Sequence, residues 1–400
     1  MDKGILAGIM QATALTRAGR LAEATELIQR SLSGGSTGPA PFKGTSAGGD
    51  AATDVVIEGE CSEVIAPTHS EQTGRSVGPA SAVAMRHGPN DAIRQWCRGP
   101  ADTEPRAAAQ ADTRQPGEWI AGLYANSAGE RAYKLYVPSR YTGQPLPLIV
   151  MLHGCNQTAD DFSAGTQMNT LGEEQSFFVL YPTQSNTANH SRCWNWFRRE
   201  DQVRDRGEPS IIAGMTRDTL NRYGLDSRKV YVVGLSAGGA MAAVMGVTYP
   251  DLYAAVGIHS GLACGSAHDL PSALAAMKGM PASIGRSSGV AGASHSIPTI
   301  VFHGDHDKTV HPRNGVDVIS KSAHREGGHG GQVWTERGQA PNGHSYTRTV
   351  HRDAAGRVVL EHWLVHGGGH AWFGGSRAGS YSDPRGPSAA AEMIRFFLQT

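Results

Sequence analysis

The 400-residue sequence lacks an excess of charge of either sign. Its 36 Lys and Arg residues balance 36 Asp and Glu residues, and charged residues make up 18% of the chain. Binding to a nucleic-acid backbone depends on a surplus of basic side chains, so this composition argues against a nucleic-acid partner. The sequence also contains no apolar run close to the ~20 residues needed to cross a bilayer, and no transmembrane segment is predicted.

The N-terminus lacks the unbroken apolar core of a Sec-type signal peptide. Gln11, Thr13, Thr16 and Arg17 interrupt the stretch in which that core would lie. Taken alone, this favours a cytoplasmic protein. The five cysteines favour an oxidising compartment only weakly.

The distribution of Gly, Pro and Ser divides the chain into three parts. Residues 1–33 have apolar residues at helical spacing on both sides of a break at Ala18-Gly19-Arg20, which predicts a helical hairpin. Residues 34–115 are rich in Gly, Pro and Ser and poor in periodic apolar residues, which is typical of a disordered linker. Residues 116–400 are long enough to form one catalytic domain.

One short motif carries the most chemical information. Gly234-Leu235-Ser236-Ala237-Gly238 follows an apolar run at 230–233 and precedes a helix-forming run at 239–247. A serine on such a strand-to-helix turn is typical of the nucleophile elbow of an α/β-hydrolase. The flanking glycines are expected because a Cβ at either position would collide with the neighbouring strand and helix. Ser236 is therefore the predicted nucleophile.

A serine nucleophile needs a histidine base with a carboxylate behind it. Two apolar runs, 298–304 and 358–365, predict buried strands after the serine. With Ser236, one acid and one histidine would lie at three successive strand ends, along the carboxyl edge of the sheet. The first strand leads to two candidate acids and the second to two candidate histidines, which are Asp305 and Asp307, and His366 and His370.

Backbone amides that could bind an oxyanion are expected after an earlier strand. The apolar run 147–152 is followed by His153-Gly154-Cys155-Asn156-Gln157, where α/β-hydrolases place one donor. The second donor is the amide of the residue after the nucleophile, Ala237. We therefore assign the oxyanion hole to the N–H groups of Cys155 and Ala237.

Five motifs together resemble the esterase family of short-chain polyhydroxyalkanoate (PHB) depolymerases, which is related to feruloyl and acetylxylan esterases. The resemblance runs from about Glu118 to the C-terminus. It implies an α/β-hydrolase fold, with a mostly parallel central sheet and helices on both faces, an extracellular location, and a triad of Ser236, Asp307 and His370. The motifs are His153-Gly154-Cys155-Asn156-Gln157-Thr158-Ala159, Cys193-Trp194-Asn195-Trp196-Phe197, Gly234-Leu235-Ser236-Ala237-Gly238-Gly239, His303-Gly304-x-x-Asp307-x-x-Val310 and Gly369-His370-Ala371-Trp372.

Two of these motifs also contain cysteines. Cys155 and Cys193 both lie near the expected rim of the active site, which predicts a disulfide between them. The chain departs from the family at one position near the expected catalytic histidine. The family usually has a proline after the tryptophan there, whereas Phe373 follows Trp372 in this sequence.

Aromatic side chains near the site predict a substrate groove. Trp194 and Trp372 are expected to line it, because aromatic rings offer a large apolar contact to an aliphatic polyester. Trp196 is expected to pack in the core instead.

The sequence thus predicts a serine esterase that hydrolyses poly(3-hydroxybutyrate)-type polyesters or their oligomers through an acyl-enzyme on Ser236. A feruloyl or acetylxylan-type carbohydrate esterase would keep the same triad and is the alternative. A non-catalytic binding protein of the same fold would normally have lost a triad residue. No cofactor is expected, and the histidines near the acid loop lack Cys or Glu partners at the spacing of a metal site. The hairpin at 1–33 is expected to dock on its own chain, on a second copy or on a polymer granule surface.

Overall fold

The computed structural model describes residues 117–280, 297–325 and 331–399. The hairpin predicted at 1–33 and the linker predicted at 34–115 lie outside these residues. Within them, no helix is both long enough and apolar enough to cross a membrane.

The described residues contain one large sheet and one small one. Ten strands form the large sheet: β1 Glu118–Asn126, β2 Gly129–Val137, β3 Leu148–Leu152, β4 Phe178–Pro182, β5 Val230–Leu235, β6 Ala255–His259, β7 Thr299–Gly304, β8 Val333–Gln339, β9 Ser345–Arg352 and β10 Val358–Val365. Two short parallel strands form the other, β11 Trp372–Phe373 and β12 Ser382–Asp383.

The large sheet has a parallel centre and antiparallel edges. Its strand order is β1-β2-β4-β3-β5-β6-β7-β10-β9-β8. The six strands from β4 to β10 in this order pair in parallel, while β1, β2, β9 and β8 pair antiparallel at the two edges. Every residue of β3 to β7 is buried, as expected for parallel strands that are covered on both faces.

Helices cover both faces of the sheet. Side chains alternate along β5, so Val232 contributes to one core and Val233 to the other. The first core is closed by α3 Gly207–Tyr223, α4 Ala237–Thr248, α5 Leu270–Met277 and α6 Arg313–Arg325. The second is closed by α1 Ala159–Thr166, α2 Met168–Gln175 and α7 Ala389–Phe397. The predicted mostly parallel sheet with helices on both faces is confirmed.

One detail of the predicted topology is wrong. The strands before Ser236, Asp307 and His370 are not successive, because β6 lies between β5 and β7 in both chain and sheet. The antiparallel pair of β8 and β9 also intervenes between β7 and β10 along the chain. The run at 255–259 is only five residues long and follows a tyrosine- and proline-containing turn, so no periodicity marked it as a strand.

Candidate active site

Ser236 lies at the turn between β5 and α4, in a backbone conformation that few side chains adopt. Its φ is +58° and its ψ is −118°. Its N–H donates to the carbonyl oxygen of His259 at 2.8 Å, and its own carbonyl accepts from Ala240 at 2.9 Å. A non-glycine residue with positive φ is strained, and such strain is typical of functional turns. The turn holds the hydroxyl at the carboxyl edge of the parallel strands.

Close backbone approach explains the two flanking glycines. A Cβ at Gly238 would overlap the carbonyl oxygens of Leu152 and His153, and a Cβ at Gly234 would overlap the carbonyl of Gly238. None of these backbone atoms can move away cheaply. The glycine requirement expected from the sequence is therefore a property of how β3 and α4 pack together.

Asp307 and His370 form a buried pair behind the same edge. Nδ1 of His370 lies 2.7 Å from Oδ2 of Asp307, so the ring donates its Nδ1 proton and keeps Nε2 as the basic nitrogen. The other carboxylate oxygen accepts the N–H groups of Thr309 at 2.9 Å and Val310 at 2.8 Å. These three donors fix the position of the carboxylate.

The surroundings of Asp307 favour its charged form. Burial alone would raise the pKa of this carboxyl. The positive charge of protonated His370, together with the hydrogen bonds from His303 and His370, lowers the pKa by more than burial raises it. Together they hold the pKa of Asp307 well below its usual range. The carboxylate is thus ionised wherever the imidazole could act as a base.

The other two candidates from the sequence form a separate pair. Nδ1 of His366 lies 2.9 Å from Oδ2 of Asp305, and Nε2 of His366 lies 2.8 Å from the hydroxyl of Thr347. The second oxygen of Asp305 accepts the N–H of Gly367 at 2.7 Å. This pair ties the acid loop to the loop that carries His370, and neither of its members lines the cavity at Ser236.

A small cavity lies over Ser236. Its volume is about 20 Å³, little more than one water molecule requires. Ser236 and His370 therefore face a common space, with Asp307 behind the histidine. The cavity is lined by Gly154, Cys155, Gln157, Leu235, Ser236, Thr309, His370 and Tyr381.

Of the two residues assigned to the oxyanion hole, Cys155 lines this cavity, and Ala237 directly follows Ser236, which also lines it. The N–H of Cys155 makes no hydrogen bond to any of the described residues, whereas that of Gly154 is bound by Oε1 of Gln157 at 2.9 Å. Ala237 is the first residue of α4, where backbone N–H groups have no acceptor within the helix. Both N–H groups are thus open to a substrate oxygen.

A disulfide holds the loop that presents the Cys155 amide. The structure joins Cys155 to Cys193, 38 residues further along the chain. On the far side of Cys193, the carboxylate of Glu208 accepts the N–H and the side-chain amide of Asn195, each at 2.7 Å, and the guanidinium of Arg131 at 3.2 Å. The loop behind the site is therefore anchored covalently and by a buried ion pair.

His153 braces the same loop as a neutral side chain. Its Nδ1 donates to the carbonyl of Gly154 at 2.7 Å, and its Nε2 accepts the N–H of Gln184 at 3.0 Å. Burial lowers the pKa of His153 to about 4. Because it is neutral at physiological pH, its Nε2 stays available as an acceptor.

The predicted aromatic groove is wrong. Trp194 and Trp372 are 0% and 1% exposed, and neither lines the cavity. The Trp194 ring packs 5.7 Å from that of His153, and the Trp372 ring stacks 5.0 Å from that of His259. Both tryptophans are packed in the core, where each ring lies against a buried histidine. Trp196 is also buried, as expected.

Two residues at the site were missed from the sequence. The aromatic ring that does line the cavity belongs to Tyr381, 11 residues after His370. The other is His259, a fully buried residue at the end of β6 whose Nε2 accepts the N–H of Phe373 at 3.1 Å. Burial holds the pKa of His259 well below its usual range. The proline that the family usually has at this position lacks an N–H. Phe373 has one, and it can therefore make this hydrogen bond.

Metal ligands do not cluster in the part of the chain that is described. There, no three His, Cys, Asp or Glu side chains lie close enough to hold a metal ion.

The elbow after β5, the acid and histidine on later loops, and the parallel sheet that presents them define the α/β-hydrolase class of fold. The acetyl xylan esterase of Aspergillus awamori has a similar solved structure, with a TM-score of 0.56 and 23% identity. The superposition covers 71% of this chain and 99% of the acetyl xylan esterase. The two proteins therefore share the fold over nearly the whole length of that enzyme.

Within this class the sequence identifies the family. A family profile described as "Esterase PHB depolymerase" matches residues 131–330, half of the chain, and the protein belongs to that family. The chain is 33% identical over 244 residues to poly(3-hydroxyalkanoate) depolymerase C of Paucimonas lemoignei, which covers 59% of this chain and 57% of that one. It is 35% identical over 140 residues to feruloyl esterase B of Neurospora crassa, which covers 35% and 46%. The chain thus spans about half the length of these curated relatives.

Proposed function

We propose that the protein is a serine esterase that forms an acyl-enzyme on Ser236. The observation that carries this proposal is that Ser236, His370 and the Cys155 loop line the same cavity. The strained elbow and the Asp307–His370 bond support it independently. No other group in this cavity combines a nucleophile with a base.

In the proposed mechanism each residue has one role. Nε2 of His370 takes the proton of the Ser236 hydroxyl as Oγ attacks the ester carbonyl, and Asp307 stabilises the imidazolium that results. The amides of Cys155 and Ala237 bind the oxyanion. His370 then protonates the departing alcohol, and a water molecule, activated in the same way, releases the acid from Ser236.

As substrates we propose poly(3-hydroxybutyrate)-type polyesters or their oligomers. Membership of the PHB depolymerase family and the 33% identity to a poly(3-hydroxyalkanoate) depolymerase support this choice. Such a polymer offers a secondary-alcohol ester at every repeat, and the chemistry above cleaves one such bond per turnover.

A carbohydrate esterase of the acetylxylan type is the second candidate. The cavity beside Ser236 is small, and a small acyl group such as acetyl needs less room there than a bulky feruloyl group. The shared fold with an acetyl xylan esterase permits this function without deciding it.

Product analysis separates the candidates. The full chain would be incubated with amorphous poly(3-hydroxybutyrate), with soluble hydroxybutyrate oligomers, with acetylated xylan and with methyl ferulate, and the released acids would be quantified. The proposal expects hydroxybutyrate and its oligomers as the main products, and none from Ser236→Ala. Release of acetate from xylan alone would favour the second candidate.

For residues 1–33 we propose docking on polymer granules or on a second copy of the chain. Every site residue lies after Leu148, so the chemistry does not need these residues. A chain that begins at Gln115 should keep its rate on a soluble p-nitrophenyl ester and lose adsorption to polymer particles. Unchanged adsorption and unchanged oligomeric state would contradict the docking role.

A further inference from the structure

Tyr381 has the largest side chain that lines the cavity over Ser236. The cavity is bounded on one side by the oxyanion loop at Gly154 and Cys155, and Tyr381 shares this space with Gln157 of the same loop. Its side chain is also partly open to solvent, since 37% of the residue is exposed. Tyr381 thus lines the cavity and is also exposed at the surface.

The backbone of Tyr381 is held in a conformation that an aromatic residue rarely adopts. Its φ is +51°, in the left-handed region that favours Gly and Asn. Its carbonyl oxygen accepts the N–H of the fully buried Trp372 at 2.6 Å, and Ser382 pairs with Trp372 in the two-stranded sheet. This strain persists because the surrounding contacts impose it, and such strain is concentrated at functional positions.

A hydrogen-bonded clamp ties the Tyr381 loop to the oxyanion loop. The side chain of Gln157 binds the Gly154 N–H with its oxygen, and its amide nitrogen donates to the carbonyl of Ser380 at 3.2 Å and to Asp161 at 2.9 Å. Asp161 also accepts the N–H of Ser380 at 2.8 Å. The Gln157 side chain therefore joins the oxyanion loop, at Gly154, to the residue before Tyr381.

The loop that carries Tyr381 packs tightly against α1. A Cβ at Gly379 would overlap the carbonyl oxygen of Asp161 and the backbone of Gly165 in α1. The backbone of the loop thus lies directly against the backbone of the helix. Tyr381 is consequently held in place from both sides, by Trp372 and by the Gln157 clamp.

We propose that Tyr381 is a specificity-determining residue that limits the length of the acyl group bound to Ser236. This inference rests on the proposed esterase function. In the tetrahedral intermediate that precedes the acyl-enzyme, the oxyanion points at the Cys155 and Ala237 amides and the alcohol leaves towards His370. The acyl chain is then directed into the rest of the cavity beside the oxyanion loop, which Tyr381 lines.

Three variants test the role of the ring. Tyr381→Gly and Tyr381→Asn remove it and suit a left-handed backbone, so both should fold, and Tyr381→Phe keeps it. The readout is kcat/KM for p-nitrophenyl acetate, butyrate and octanoate. One methylene in an apolar pocket changes selectivity by about tenfold or more. We expect the octanoate-to-acetate ratio to rise at least about tenfold in the Gly and Asn variants and to stay at the wild-type value in the Phe variant.

A second readout does not depend on turnover. A p-nitrophenyl alkylphosphonate transfers its phosphonyl group to Oγ of Ser236, p-nitrophenolate leaves, and the serine proton goes to His370. We expect the labelling rate with a hexylphosphonate, relative to a methylphosphonate, to rise in the Gly and Asn variants. If wild-type protein hydrolyses no ester, the proposed function fails, yet the labelling ratio still tests Tyr381. No labelling of Ser236 would overturn the proposed nucleophile, whereas equal labelling ratios in all variants would overturn the role of Tyr381.

Discussion

Nδ1 of His370 lies 2.7 Å from a carboxylate oxygen of Asp307, whose side chain is wholly buried. Because that oxygen accepts the Nδ1 proton, Nε2 is the basic nitrogen of the histidine, which lines one cavity together with Ser236. Four residues earlier, His366 makes the same kind of bond to Asp305. The two pairs offer a matched test of which acid supports catalysis.

We expect Asp307→Asn to lower kcat on a soluble ester by about 10⁴-fold, because an amide favours the wrong tautomer of the histidine. Asp305→Asn should change kcat by less than about tenfold, since it keeps an oxygen for the N–H of Gly367. Steady-state kinetics on both purified variants, with circular dichroism as the check on folding, measures the difference. If the Asp305 change is the more damaging one, the assignment of the acid is wrong.

Ser236→Ala should lower kcat by up to roughly a million-fold, as removal of a triad serine does in other hydrolases. The variant should fold normally, because its backbone bonds to His259 and Ala240 do not involve the hydroxyl. An organophosphate should label Ser236 in the wild type and inactivate it in step. Labelling at another serine, with parallel loss of activity, would contradict the proposed nucleophile.

The sequence contained enough information to predict the site's elements and not their packing. Ser236 could be located because the elbow is a local motif, in which glycines, strand and helix are neighbours along the chain. The burial of Trp194 and Trp372 depends on their contacts with His153 and His259, which are distant in sequence and which no local pattern encodes. Tyr381 gives no local indication of a role either, because its loop is placed by contacts with residues distant in sequence, such as Gln157 and Asp161.

Loss of the Cys155–Cys193 bond should lower stability and turnover together. In the chain-entropy account, a bridge across 38 residues restricts the unfolded chain by about 4 kcal/mol. The double variant Cys155→Ala/Cys193→Ala should unfold at lower urea concentration. Its kcat should also fall, because the Cys155 amide loses its anchor. Peptide mapping under non-reducing conditions that finds both thiols free would contradict this.

His362 should make the protein sensitive to moderate acid. Burial, with smaller contributions from His303 and His351, lowers the pKa of His362 to about 4, and its Nε2 has no hydrogen-bond partner among the described residues. The pKa in the unfolded chain is about 6.5, so the unfolded state binds more protons between pH 6.5 and 4. Stability therefore falls as the pH drops through this range.

Replacement of His362 with leucine removes this proton uptake. Between pH 7 and pH 4.5, the unfolding free energy of the wild type should fall by about 2–3 kcal/mol more than that of His362→Leu. Urea unfolding at both pH values measures this difference. Parallel pH profiles for the two proteins would show that His362 is not held neutral by burial.

Gly238 and Gly369 are both close to the site in sequence, but only Gly238 is closely packed. A Cβ at Gly238 would overlap the carbonyl oxygens of Leu152 and His153, whereas a Cβ at Gly369 would meet no atom within 4 Å. Gly238→Ala should therefore cost about 3 kcal/mol or more, since the backbones of β3 and α4 would have to move apart. Gly369→Ala should stay within about 1 kcal/mol of wild type. Urea unfolding of both variants measures this contrast, and equal costs would mean that β3 and α4 do not meet as closely as this turn requires.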